Sequence, residues 1–124
     1  MTGTPQSVRE VVEAFFGAMA RHDFERAMEQ VSARAFEFIG PVRSYQGRDQ
    51  LASDLDRLYP VLARLEVRRV FVDGDESCVI YDLVTTVPGM ELTRVAVWIT
   101  VADDGIVRME VFFDAHAYAQ LFEV

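Results

Sequence analysis

From Leu65 onward the hydrophobic pattern of this chain repeats every two residues, and turn signals interrupt it at short intervals. Leu65 to Val72, Ser77 to Val87, Glu91 to Val101 and Ile106 to Phe113 are rich in β-branched and aromatic residues. Asp73-Gly74, Pro88-Gly89 and Asp104-Gly105 separate them. A period of two sends successive side chains to opposite faces of a strand, and short glycine-containing connections close hairpins. The second half of the chain is therefore predicted to be an antiparallel meander.

The first half has a different period. Val8, Val11, Val12, Phe15, Phe16 and Met19 follow the i, i+3, i+4 spacing of one helical face, and Ser7 with Glu10 forms a capping box before it. Asp23 can cap a second helix whose apolar stripe is Phe24, Ala27, Met28 and Val31. AFEFIG reads as a short strand ended by Gly40 and Pro41, and RSYQG leads into a third helix bearing Leu51, Leu55, Leu58 and Tyr59. Pro60 ends or kinks that helix, because proline has no amide hydrogen to donate. Helices followed by consecutive hairpins predict a single α+β domain over residues 1–124, with a curved, mainly antiparallel sheet wrapped around the N-terminal helices.

The strand Glu91 to Val101 carries a further hint. One face reads Thr93, Val95, Val97, Ile99, Val101 and the other Leu92, Arg94, Ala96, Trp98, Thr100. Both are apolar enough to be buried. One can cover the helices and a pocket; the other then needs a partner, and a second copy of the chain is the usual solution.

Twelve Lys+Arg against twenty Asp+Glu give a formal charge of −8, which repels phosphate backbones and anionic membrane surfaces. Neither nucleic acid nor membrane is expected as a partner. Cys78 is the only cysteine, which excludes an intrachain disulfide and suits a reducing compartment. The start, MTGTPQSVREVVEAFF, has no basic leader followed by an apolar run, so a cytoplasmic location is expected. No nucleotide-binding loop, metal-ligand cluster or nucleophile triad is visible, and no cofactor or metal is expected. Asp73, Asp75 and Glu76 lack the full spacing of a calcium loop and read as a hairpin turn.

The order of these elements, with FFGAMARHDFERAMEQV, then SYQGRDQL, then DDGIVRMEVFFD closing the sheet, resembles the nuclear transport factor 2-like superfamily, especially its SnoaL-like branch. That resemblance spans nearly the whole chain and implies a cone-shaped α+β barrel with a deep, largely apolar pocket, often dimeric. Its members include polyketide cyclases, ketosteroid isomerases, limonene epoxide hydrolases and non-enzymatic binders, so the fold alone does not select an activity. Limonene epoxide hydrolases carry Arg-x-Asp on the penultimate strand and an aspartate three residues before the strand-ending Asp. Here those positions resemble Arg94-Val95-Ala96 and Val111, and neither Ala96 nor Val111 can ionise. The tyrosine that a ketosteroid isomerase places on its first helix falls where this chain has Phe15-Phe16, although Tyr45, Tyr59 and Tyr81 could supply a hydroxyl from elsewhere.

The charged residues left inside apolar strands are Asp82, Arg94 and Glu110. As catalytic candidates, Arg94 would anchor a ligand carbonyl or carboxylate, and Asp82 or Glu110 would accept a proton with a raised pKa. On an outer face they would instead pair with one another. Asp114, just before AHAYAQLF, reads as the cap of a last helix; His22 and His116 read as solvated turn residues, and Cys78 as packing. Phe16, Met19, Tyr45, Tyr59, Trp98, Met109, Val111 and Phe113 are the candidate pocket lining, with Trp98 singled out because it shares a strand face with Arg94. The expected ligand is a small, mostly apolar organic molecule, either transformed by cofactor-free proton transfer (isomerisation, cyclisation or hydration) or only bound.

Overall fold

The computed structural model describes residues 7–116. Ser7 accepts from the Glu10 amide at 3.1 Å and its own amide donates to the Glu10 carboxylate at 2.8 Å, which starts α1 (Val8–Ala20) as the capping box required. Val11, Val12, Phe15, Phe16, Ala18 and Met19 form its buried face. His22, in the left-handed region at φ 62°, turns the chain, and Asp23 caps α2 (Phe24–Met28).

That second helix is shorter than the predicted stripe. Past Met28 the backbone turns to the sheet: the Gln30 carbonyl accepts from the Ile106 amide at 2.7 Å, and Val31 bridges Ile106. Val31 is buried as a piece of sheet edge, not as a last helical turn.

β1 (Glu37–Ile39) falls where AFEFIG predicted it, but Ser44–Gln46 of RSYQG forms a strand of its own, β2, hairpinned to β1 around Gly40 and Pro41. Three residues are too few for a period-two signal. α3 (Arg48–Leu58) follows, entered through Gly47 at φ 93°. The meander is β3 (Leu62–Asp73), β4 (Glu76–Thr85), β5 (Leu92–Ala102) and β6 (Gly105–Phe112). Strand order is β2-β1-β6-β5-β4-β3, antiparallel throughout except that β1 runs parallel to β6 with Phe38 opposite Met109. Register shifts in β3 and between β5 and β6 bend the strands locally, as bulges do, and the curved sheet closes over α1 and α3 without sealing into a barrel.

Val79, Val97, Ile99 and Ile106 meet the buried face of α1 with essentially no exposure, each burial favouring the folded state by roughly 1.5–3 kcal/mol. The opposite face of β5 is not buried within the chain. Leu92 is 65% exposed and Trp98 41%, so the two apolar faces read from this strand divide into a core face and an open one. No helix among the described residues is long and apolar enough to cross a membrane. The helix expected over AHAYAQLF falls almost wholly on residues 117–124, outside the described residues; the Asp114 carboxylate accepts from the His116 amide at 3.2 Å.

Candidate functional site

Two apolar chambers lie between the helices and the concave face of the sheet. The inner one, about 190 Å³, is walled by Phe16 and Met19 of α1, Leu51, Leu55 and Leu58 of α3, and Tyr81, Val95, Val97, Met109 and Val111 of the sheet. The outer one, about 340 Å³, is framed by Pro41, Val42 and Arg43, by Arg57 and Val61, and by Val87 and Met90 at the β4–β5 end. Phe38, Asp54, Leu58 and Phe113 border both chambers and form the boundary, or neck, between them.

Asp54 is the carboxylate at that neck. It sits three residues after Leu51 and four before Leu58, on the same face of α3 as the apolar stripe. Its Oδ1 lies 3.3 Å from Arg43 Nη2 in a partly enclosed ion pair. Tyr45 stands beside it, its ring stacked on Phe38 at 4.8 Å and covered by the Arg43 guanidinium at 5.6 Å. The phenol oxygen is buried and closes no hydrogen bond. Burial, reinforced by the nearby Asp54 charge, pushes its pKa well above the ordinary tyrosine value, so at neutral pH it is a donor and not a phenolate.

Of the pocket residues predicted from sequence, Phe16, Met19, Met109, Val111 and Phe113 line the inner chamber. Tyr45 lies behind Phe38, next to Asp54. Tyr59 is 54% exposed, packed edge-on against His22 and Phe24, and does not line either chamber. His22 is half-buried and hydrogen-bonded to the Leu62 carbonyl, not simply solvated. Trp98 shares a face with Arg94 as predicted, but that face is the outer one.

The three charged candidates are on the outer face as well. Asp82 pairs with Arg94 across β4 and β5, accepting from Arg94 Nε at 2.7 Å and Nη2 at 2.9 Å and from Arg68 Nε at 2.7 Å. Hydrogen bonds from Arg94, then from Arg68, outweigh the cost of burial and hold its carboxyl well below the usual carboxylate range, the opposite of the raised pKa a proton acceptor needs. Glu110 accepts from Arg108 at 2.6 Å, and Arg108 lies 4.9 Å over the Trp98 ring. Asp82, Arg94 and Glu110 border neither chamber: strand alternation, with Tyr81, Leu83, Val95 and Val111 facing inward, turns all three away. Their expected place beside the ligand is corrected accordingly. Among the described residues no group of His, Cys, Asp and Glu could hold a metal ion.

The SnoaL-like domain profile matches residues 12–109, running from the buried face of α1 to the inner wall of β6. The chain belongs to the SnoaL-like family. Solved structures share the fold of this SnoaL-like domain at low identity. An NTF2-like protein of unknown function from Cytophaga hutchinsonii superposes with a TM-score of 0.79 at 20% identity, over 94% of this chain and 98% of that one. A protein from Sinorhizobium meliloti proposed to be a polyketide cyclase gives 0.72 at 19%, over 86% and 100%. A hypothetical protein from Catenulispora acidiphila with a ketosteroid isomerase-like fold, in complex with trimethylamine, gives 0.71 at 12%, over 87% and 88%. No curated protein matches the SnoaL-like domain in sequence.

Proposed function

We propose that this SnoaL-like domain binds a small, mostly apolar organic molecule that threads the neck, with one end in the inner chamber and the other in the outer. The observation that carries this reading is the placement of Asp54 at the junction of two chambers whose walls are otherwise mainly Phe, Leu, Val and Met. An apolar cleft with a few convergent polar groups is the usual form of a small-molecule site. The likeness to a proposed polyketide cyclase is compatible with it.

The same placement gives the domain a route to proton transfer without a cofactor. Asp54 faces the middle of a threaded ligand, where a carboxylate can take a proton from a carbon next to a carbonyl and return it to another carbon. Native mass spectrometry of the purified protein identifies a retained molecule, and turnover of that compound is compared between wild type and Asp54→Asn. Binding is expected to persist and turnover to fall by about 10²–10⁴, the usual contribution of a positioned acid or base. Equal turnover in the two proteins removes Asp54 from the chemistry, and no turnover in wild type restricts the domain to binding; absence of any retained or titratable apolar compound overturns the binding reading.

A second reading concerns the outer face. Leu92, Trp98, Phe112 and Phe71 are exposed there, with the Arg68–Asp82–Arg94 and Arg108–Glu110 clusters around them. We propose that a second copy covers this face, because contiguous exposed apolar side chains mark association surfaces. Sedimentation velocity is expected to show a dimer in wild type and a monomer in Trp98→Glu/Phe112→Glu. A wild-type monomer at about 100 µM overturns this assembly, since such weak association buries too little to matter.

A further inference from the structure

The outer chamber is not electrically neutral. Two arginines border it, Arg43 and Arg57, against the single acidic residue Asp54, which leaves one net positive charge among its lining residues. Arg43 is engaged by Asp54 at 3.3 Å. Arg57, by contrast, has no carboxylate within ion-pair distance among the described residues. In a chain of formal charge −8, most arginines pair with an acidic neighbour, and this exposed one instead borders an apolar cavity. Its place in the last turn of α3 suits a cation through the helix dipole, but the dipole does not require the side chain to line the chamber.

We infer that the ligand of the two chambers is an anion at one end: a small apolar molecule carrying a single carboxylate, its head on Arg57 beside Arg43 in the outer chamber and its apolar tail passing the neck into the inner one. This rests on the reading that the chambers bind a small apolar molecule and adds the chemistry of the head. Length and charge agree with the layout. The cations stand only on the outer side of the neck, the inner chamber is walled by Phe, Leu, Met and Val, and a planar guanidinium matches a carboxylate with two parallel hydrogen bonds.

Calorimetric titration with octanoate, 1-octanol and octylamine at neutral pH and low salt separates the possibilities, because the three share one tail and differ in head. Octanoate is expected to bind at least tenfold tighter than 1-octanol, a difference of about 1.4 kcal/mol, and to lose part of that advantage as salt screens the pair. Arg57→Gln should bring acid and alcohol to within about twofold, Arg57→Lys should keep the order, and Asp54→Asn should tighten octanoate by removing the competing carboxylate. Because Arg57 is exposed, the Gln variant is expected to melt like wild type. Equal binding of acid and alcohol, preference for the amine, or an acid preference untouched by Arg57→Gln overturns the anionic head while leaving apolar binding intact. Failure of all three probes to bind overturns both.

Discussion

Replacing Gly105 by alanine is expected to lower the stability of the fold by about 3–5 kcal/mol and its melting temperature by on the order of 10 °C or more. Gly105 opens β6 at φ 125°, a conformation that side chains with a Cβ rarely adopt. A Cβ on its backbone would also stand 2.5 Å from the Gln30 carbonyl oxygen and 3.3 Å from the Ser32 amide nitrogen. Those are the groups that stitch the segment after α2 to the sheet, through Ile106 N–H to Gln30 at 2.7 Å and Ser32 N–H to Ile106 at 2.9 Å. Neither neighbour is a flexible tip that can swing away; both are backbone. Strain at φ and the loss of one or two of these bonds therefore add.

Gly74→Ala is the control. Its φ of 63° is also left-handed, but nothing lies within 4 Å of the added carbon, so only the conformational cost of about 1–2 kcal/mol applies. Thermal melts of the two variants, with amide exchange at Ser32 and Ile106, check the difference. If Gly105→Ala costs no more than Gly74→Ala, the contact with Gln30 does not hold the sheet edge. The effect reaches the chambers too, since β6 carries Met109 and Val111 and leads directly to Phe113.

The meander was legible because four long strands each give a clear period of two and the turns are marked by glycine. α1 was legible because its six apolar positions and its capping box agree. What the sequence hid follows from short elements and from faces. β2 is three residues long, and α2 stops after five because backbone pairing of Gln30 and Val31 with Ile106 replaces another helical turn. Alternation separated Arg94 and Trp98 from Val95 and Val97, but a period of two does not say which set meets the helices. Asp82, Arg94 and Glu110 read as catalytic candidates for that reason; the register pairs Asp82 with Arg94 on the outer face, and Glu110 pairs there with Arg108.

The place of Asp54 is written in its spacing. A carboxylate at the i+3 position of the stripe Leu51, Leu55, Leu58 cannot avoid the apolar side of its helix, and that was the signal. Arg43 and Tyr45, which complete its surroundings, come from a hairpin too short to announce itself.

Val111→Asp is expected to show how dry the inner chamber is. The side chain lies among Phe16, Met19, Val95, Val97 and Met109, so an aspartate there exchanges water for hydrocarbon, which raises its pKa, and the Asp54 carboxylate bordering the same chamber pushes in the same direction. A rise of about 3 units from the ordinary value near 3.9 corresponds to about 4 kcal/mol. The sign follows from linkage: with the folded pKa above the unfolded one, the variant bears no ionisation penalty below about pH 4, and the penalty grows as pH rises from about 4 to 7. Val111→Asn loses the same apolar contacts but cannot titrate. The two variants should therefore melt together at pH 4, and the aspartate should fall well below the asparagine at pH 8. A gap independent of pH would mean that water reaches Val111 and that the inner chamber is no place for an apolar tail. A gap that opens with pH means that water is kept from residue 111 and that the inner chamber is dry enough to hold an apolar tail.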